Sequence, residues 1–321
     1  MRYFAGIDLG GTFIKCGILD ETGKIINKDK VVTPQGYLCT VDKLSDFVKE
    51  LAARAQVNLT GVGIGAPGVI ESETGIVVVS HNLKWKDVPL AKDLSAKLGL
   101  PVFLTNDANA AALGENFCGS GKEYSSMVLL TIGTGIGSGI VINGKLFEGY
   151  RSAGAELGHE TIQFRGKKCA CGRRGCFEVY ASASALVKQT RQKMRKHSES
   201  ALWKICEGDL SKVDGRTVFE GMKQNDALAM NIFDTYIGYL AEGIANIINS
   251  FRPEAVVLGG GISAEGDTLI HPLKKRVNAL ILGRGEYAPV EIVAAALGND
   301  AGLCGTAKFA KDKTDNVSDA N

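Results

Sequence analysis

One local pattern occurs twice in this chain and sets most of what it can fold into. Tyr3 to Ile7 is a short apolar run that breaks at Asp8-Leu9-Gly10-Gly11-Thr12, and a second apolar run, Phe13 to Leu19, follows. Glu21-Thr22-Gly23 turns the chain into Lys24-Ile25-Ile26, so the segment reads as a strand and a β-hairpin hung on a glycine turn. About 120 residues later the pattern returns: Met127 to Ile132, a break at Gly133-Thr134-Gly135, Ile140 to Ile142, the hairpin turn Asn143-Gly144 and a return strand Lys145-Leu146-Phe147. Two α/β domains that open in the same way account for the duplication.

Between and after these repeats, helical spacing alternates with short apolar runs. Val41, Leu44, Val48 and Leu51 predict a helix over 41–55, and Val62 to Ala66 a strand. Pro89 opens a second helix that Gly99 and Pro101 close. Val102 to Thr105 reads as a buried strand and 107–117 as a helix. A long helix over 226–250 carries Leu228, Ile232, Tyr236, Leu240, Ile244 and Ile247 on one face and stops before Pro253. Ala255 to Leu258 is a strand that breaks at Gly259-Gly260-Gly261. The polar tail from Lys311 is expected to fray.

Composition narrows the class. Apolar residues make up 45% and charged residues 22% of the chain, ordinary values for a globular protein with real cores. A net charge of +2 suggests no nucleic-acid partner. The longest basic run, 188–197 (KQTRQKMRKH), reads as a solvated helix face. No apolar stretch is long enough to span a membrane, and the opening MRYFAGIDLGG lacks the apolar run and cleavage site of a signal peptide. Three of the eight cysteines crowd into 169–176 and the rest are scattered, which fits a reduced, cytoplasmic protein with one metal site.

Three glycine-rich turns follow apolar strands: Gly10-Gly11-Thr12, Gly133-Thr134-Gly135 and Gly259-Gly260-Gly261. Glycine lets backbone N–H groups approach phosphate oxygens, and Thr12 and Thr134 add hydroxyls, so the set points to phosphate binding at strand carboxyl ends. Asp8, just before the first turn, can hold Mg2+ directly or through water; its alternative role is to cap the turn. No G-x-x-x-x-G-K-[ST] loop is present. Gly63-Ile64-Gly65-Ala66-Pro67-Gly68 matches G-x-G-x-x-G but opens no helix, which rules out a dinucleotide fold.

His159 is followed after nine residues by Cys169-Ala-Cys171-Gly-Arg-Arg-Gly-Cys176. One imidazole and three thiolates form the Cys3His set of a closed zinc site. Four protein ligands leave no open position, so Zn2+ is expected to be structural. A nucleic-acid zinc ribbon is the competing reading, but there is a single cluster and no basic patch around it. Asn106 and Asp107 stand where a strand ends and a helix begins, the place where open α/β sheets carry ligand groups. Glu156 precedes His159 by three residues and Glu178 follows Cys176 by two, so a bound metal would pin both glutamates near one point. Converging carboxylates and amides suit a polyhydroxylated ligand. For Asp107, helix capping is the alternative.

These residues make the chain recognisable. It resembles the ROK family (repressors, open reading frames and kinases), and within it the bacterial glucokinases of the Gram-positive type. The similarity runs over nearly the whole length: DLGGTFIK at 8–15, GIGAPG at 63–68, NLKW at 82–85, TNDANAAALGE at 105–115, LTIGTGIGSGIV at 130–141, ELGHE at 156–160, CACGRRGCFE at 169–178 and VVLGGGIS at 256–263. The resemblance implies an actin-like ATPase (ribonuclease H-like) α/β fold, with two domains and an interdomain cleft. It implies transfer of the γ-phosphoryl group of ATP to the 6-hydroxyl of a hexose, glucose favoured. By match of position, Asp107 would be the general base. Gly68, Asn82, Asn106, Glu156, His159 and Glu178 would hold the sugar, with His159 also on the zinc. Asp8, Gly10, Gly11, Thr12, Lys15, Thr131, Gly133, Thr134 and Gly135 would serve the phosphates, and Gly260 and Gly261 would border the adenosine. Family repressors carry an N-terminal DNA-binding helix-turn-helix; Met1 lies a few residues before the first strand, so that reading is disfavoured.

The expected domains are 1–118, completed by a C-terminal helix near 301–311, and a larger 119–300 that carries the zinc loop. A homodimer is expected. The competing functions are a kinase for fructose, allose or N-acetylmannosamine, and a non-catalytic sugar sensor.

Overall fold

The computed structural model describes residues 1–318. They form two compact units: Met1–Leu129 with Gly139–Ala155 and the C-terminal stretch from Ala296, and Leu130–Ser138 with Glu156–Ala295. The division runs inside two strands rather than through a linker.

The first unit is built on β1 (Tyr3–Leu9), β2 (Phe13–Asp20) and β3 (Ile25–Val32), the expected strand and hairpin. Helix α1 (Tyr37–Ala55) starts one turn earlier than its apolar spacing predicts. The Tyr37 ring packs edge-on against Trp85 at 5.2 Å, and its hydroxyl donates to Asp93, so tertiary contacts extend the helix. Strand β4 (Leu59–Ala66) leads into a small antiparallel sheet, β5 (Val69–Glu71), β6 (Ile76–Ser80) and β7 (Trp85–Val88). Helix α2 (Leu90–Leu98), strand β8 (Val102–Asn106) and helix α3 (Asp107–Cys118) follow. The main sheet has the order β3-β2-β1-β4-β8, with β1, β4 and β8 parallel.

Both faces of this sheet are covered, as parallel strands require. On one side, Val41, Leu44, Val48 and Leu51 of α1 share a core with Ala5, Ile7, Ile14, Val62 and Ile64. On the other lies the C-terminal helix, whose Cys304, Ala307 and Ala310 pack with Phe4 and Leu19. Its seat is a pair of glycines, Gly6 and Gly63, directly opposed across β1 and β4. A Cβ would stand 2.0 Å from the Leu303 carbonyl oxygen at Gly6 and 1.9 Å from that of Thr306 at Gly63. Gly63→Ala is therefore expected to cost about 1–3 kcal/mol of stability or more by forcing backbone apart. A denaturation midpoint unchanged from the parent would show that the helix does not need this floor.

The second sheet repeats the plan. Strands β9 (Met127–Ile132), β10 (Ile136–Ile142) and β11 (Lys145–Phe147) come first. Short α4 (Glu178–Ala181), α5 (Ala183–Met194), short α6 (Leu202–Ile205) and α7 (Thr217–Lys223) lead to the long α8 (Ala227–Phe251). All six residues of the predicted apolar face of α8 are buried, and the Asp226 carboxylate caps it by accepting from the Ala229 N–H at 2.7 Å. Strand β12 (Ala255–Gly259), helix α9 (Asp267–Leu280) and strand β13 (Glu291–Ala294) complete the order β11-β10-β9-β12-β13. In both sheets, a hairpin flanks the first strand on one side and two later strands flank it on the other.

The C-terminal helix, α10 (Ala301–Ser318), corrects the expectation of a frayed tail from Lys311; positions 319–321 lie outside the described residues. Lys308–Asp312 and Lys311–Asp315 pairs run along it at i,i+4 spacing, and Arg2 reaches Asp315 from β1's start. Among the described residues, no helix is long and apolar enough to cross a membrane.

Candidate active site and metal centre

In the first unit, the parallel strands β1, β4 and β8 end on one edge, and the expected ligand groups follow from that. Register pairs Asp8 with Lys15 across the hairpin, and the Lys15 ammonium donates to Asp8 Oδ2 at 2.9 Å. The first glycine turn is closed by a Gly10 N–H to Phe13 carbonyl bond and held by Thr33, whose hydroxyl donates to the Gly10 carbonyl at 2.7 Å. Gly11 and Thr12 are exposed. Asn82 sits beside Gly11: a Cβ on that glycine would be 3.3 Å from the Asn82 carbonyl oxygen. Gly68 has φ near 116°, and a Cβ there would meet the Val79 carbonyl oxygen at 2.2 Å, so this turn tolerates only glycine.

Of the two residues at the start of α3, Asn106 carries the cap. Its Oδ1 accepts from the Asn109 N–H at 2.7 Å. Asp107 is the first residue of α3, exposed, with Oδ1 accepting from the Ala108 N–H at 2.9 Å.

In the second unit, β9 ends at the second glycine turn, with Thr131 half-buried and Thr134 exposed. The Gly133 N–H donates to the Gly135 carbonyl at 3.0 Å, and the Gly133 carbonyl accepts from the Ala183 N–H at 2.9 Å, which ties the turn to the start of α5. Gly260 lies against it: a Cβ would meet the Ile132 carbonyl oxygen at 2.2 Å, whereas Gly261 faces open space. Gly135 is just as close to Glu178, whose Oε2 would lie 2.4 Å from an added Cβ.

Glu156 is exposed and opens the segment that carries His159. That segment is fastened to β10 by the Leu157 N–H donating to the Ser138 hydroxyl at 3.0 Å, and by Gly158, which lies flat on the Ile136 carbonyl. The loop 160–177 folds back on itself through the Phe177 N–H to Glu160 carbonyl and Ile162 N–H to Gly175 carbonyl bonds. This brings the ligand atoms of His159, Cys169, Cys171 and Cys176 within 4.8 Å of one another. Cys171 and Cys176 sulfurs are 3.7 Å apart, and the Cys169 sulfur is 3.8 Å from His159 Nδ1. Zinc–sulfur bonds of ~2.3 Å in a tetrahedron place sulfurs about 3.8 Å apart, so the donor set fits Zn2+. Glu178 adjoins the cluster, with Oε1 accepting from the Cys169 thiol at 3.0 Å and standing 3.6 Å from His159 Nδ1. Phe177, fully buried against Gly243 of α8, anchors the loop's exit.

Burial pushes the Cys169 thiol up to about 12, and Glu178 adds to it; burial likewise raises Cys176, while the Arg173 backbone N–H lowers Cys171. A zinc ion held by this set would displace protons, and its affinity would rise with pH. Between pH 6.5 and 8, we expect a gain of at least about tenfold in chelator competition. A flat profile would contradict thiolate ligation.

Sequence reasoning missed Glu115, at the end of the 105–115 motif. It is fully buried on α3 and accepts from the Ser120 N–H at 2.9 Å, the Ala296 N–H at 3.1 Å and the Leu297 N–H at 2.8 Å, so it holds the entry to α10. It also missed Glu148, which accepts from Ser72 at 2.6 Å and from Thr105, two residues before Asp107, at 2.9 Å. No spacing signal links these partners.

The profile of the ROK family matches residues 4–313, and the chain belongs to that family. Its fold is the α/β fold of the actin-like ATPases. The chain is 39% identical over 313 residues to a glucokinase of Thermotoga maritima, covering 96% of this chain and 97% of that one. It is 37% identical to a glucokinase of Halalkalibacterium halodurans, covering 100% and 98%. Among solved structures, a ROK family glucokinase from Streptomyces griseus in complex with glucose and AMPPNP is similar, with a TM-score of 0.79, 34% identity and coverage of 97% and 99%.

Proposed function

We propose that this chain is an ATP-dependent glucokinase, which transfers the γ-phosphoryl group of ATP to the 6-hydroxyl of glucose. The reading is carried by the exposed Asp107 carboxylate, set where β8 ends and α3 begins, in a chain similar end to end to two bacterial glucokinases. Asp107 takes the hydroxyl proton as the new oxygen–phosphorus bond forms, the terminal phosphoanhydride bond breaks and ADP leaves. Backbone N–H groups of Gly10, Gly11, Gly133 and Gly135, with Thr12, Thr131, Thr134 and Lys15, bind the phosphates. Gly260 and Gly261 border the adenosine. Mg2+, when bound, neutralises phosphate charge; Asp8 would hold it, directly or through water.

Asn82, Asn106, Glu156, His159 and Glu178, with backbone near Gly68, are the sugar ligands, because carboxylates and amides take paired hydroxyl hydrogen bonds. The His159 Nδ1 faces the thiols, which leaves Nε2 for a sugar hydroxyl. Zn2+ is structural, held by His159, Cys169, Cys171 and Cys176. The family resemblance adds a cytoplasmic homodimer of two-domain chains. The protein incubated with ATP, Mg2+ and glucose should form one glucose 6-phosphate per ADP by phosphorus NMR. Release of inorganic phosphate with no sugar ester would overturn the assignment.

A further inference from the structure

Two buried hydroxyls, those of Thr105 and Ser72, stand beside groups assigned above to the sugar and to the proton. Thr105 lies in β8, two residues before Asp107, and Ser72 directly follows β5, whose first residue succeeds Gly68. Both donate to one atom: Glu148 Oε1 accepts from the Ser72 hydroxyl at 2.6 Å and from the Thr105 hydroxyl at 2.9 Å. Bonds to a carboxylate oxygen are among the stronger ones, and a buried hydroxyl left without an acceptor is costly. A single carboxylate oxygen therefore ties the carboxyl end of β8 to the end of β5.

The segment that presents Glu148 is itself held by the same hairpin. β11 ends at Phe147, and Gly149 turns the chain with φ near 70°. Arg151 and Ser152 then take left-handed backbone, with φ of 52° and 56°, which residues other than glycine keep only where their surroundings fix them. The Ser72 N–H donates to the Ser152 hydroxyl at 3.2 Å, and Arg151 pairs with Glu71. At the other end of β5, Gly68 approaches the Val79 carbonyl of β6 too closely for any side chain, and Ile70 and Val77 set the hairpin into the core. Asn82 follows β6 by two residues. The β5–β6 hairpin thus carries Gly68 at its start and Asn82 just past its end, and Glu148 joins it to the strand that carries Asp107.

We propose that Glu148 is a positioning residue for phosphoryl transfer: through Thr105 it fixes Asp107, and through Ser72 it fixes the hairpin that bears Gly68 and Asn82. It touches no reacting atom in this role. The role rests on the function proposed above, in which Asp107 is the base and Gly68 and Asn82 adjoin the sugar. A shift of about 1 Å from the productive geometry can lower a rate on the order of a hundredfold, so a tie remote from the chemistry is read in the kinetics.

The test is steady-state kinetics of the zinc-loaded protein with ATP, Mg2+ and glucose, beside a melting curve, and the two arms of the tie should separate. Thr105→Val keeps the shape without the hydroxyl and should lower kcat about tenfold, with the glucose KM within about twofold of the parent. Ser72→Ala should raise the glucose KM at least about fivefold and leave the ATP KM within about twofold. Glu148→Ala should do both, and adding Thr105→Val to it should lower kcat little further, since the same bond is removed twice. Glu148→Gln keeps an oxygen acceptor in place and should recover most of both losses. Should Glu148→Ala fail to fold, the Ser72 and Thr105 variants carry the same test. A lowered melting midpoint with both constants near the parent's would make Glu148 structural only and overturn the proposal. So would additive effects of Thr105→Val and Glu148→Ala, or a Glu148→Gln variant as damaged as Glu148→Ala. A parent that makes no glucose 6-phosphate would sink the function itself, whereas an active parent with indifferent variants overturns the positioning role alone.

Discussion

Asp107→Asn is expected to lower kcat for glucose phosphorylation by about 10²–10⁴-fold, the usual contribution of a positioned general base. The KM for glucose should stay within about threefold, since an amide keeps the shape and can still accept a sugar hydroxyl bond. The substitution is a clean one because the capping of α3 falls to Asn106, which accepts from the Asn109 N–H, and not to Asp107. The Asp107 Oδ1 bond from the Ala108 N–H can also be kept by the Asn carbonyl. The thermal midpoint should therefore hold while turnover collapses. Steady-state kinetics beside a melting curve check both halves; near-parental kcat in a folded variant would remove Asp107 from the role.

Removal of zinc is the second large effect. The cluster joins His159 to three cysteines spread over 169–176, and the loop's other ties are backbone pairs near 160–177, the bonds of Arg173 to Thr161 and Arg174 to the Gly166 carbonyl, the seat of Lys167 on Tyr180 and the anchor of Phe177 on α8. A closed thiolate site contributes on the order of 10 kcal/mol to local folding, more than those contacts can replace. Chelation, or Cys176→Ala, should therefore open 160–177 to hydrogen exchange and abolish glucose phosphorylation, because Glu178 follows the last ligand by two residues and His159 is itself a ligand. The buried face of α8 should stay protected. Full activity in protein shown by metal analysis to hold no zinc would contradict this account.

Local signals were legible in the sequence and long-range ones were not. Strands β1, β9, β11 and β12 and helices α3 and α8 stand close to where apolar runs, glycine turns and helical spacing put them, because each is bounded by neighbours in sequence. The Cys3His cluster was legible for the same reason, as a tight spacing with one histidine nearby. The β5–β7 sheet was not, since its strands are three to five residues long and gain order only by packing Val77 and Trp85 into the core of the first unit. The seat of α10 on Gly6 and Gly63 joins residues some 240 to 300 positions apart, and no period in the sequence announces it. The division between the compact units likewise falls inside β9 and β10, where composition does not shift. The tail was misread because polarity was taken for disorder, while its charges are spaced i,i+4 and pair along α10.

In the proposed function, the choice of sugar is assigned to the side chains of Asn82, Asn106, Glu156, His159 and Glu178, and one measurement weighs that assignment. It is kcat/KM for glucose, N-acetylmannosamine, fructose and allose under the same ATP and Mg2+ conditions. The account predicts that glucose exceeds each of the others by at least about tenfold, the worth of one well-placed hydroxyl hydrogen bond. A higher value for any of the other three, or no sugar phosphate from any hexose with zinc-loaded protein, would contradict it.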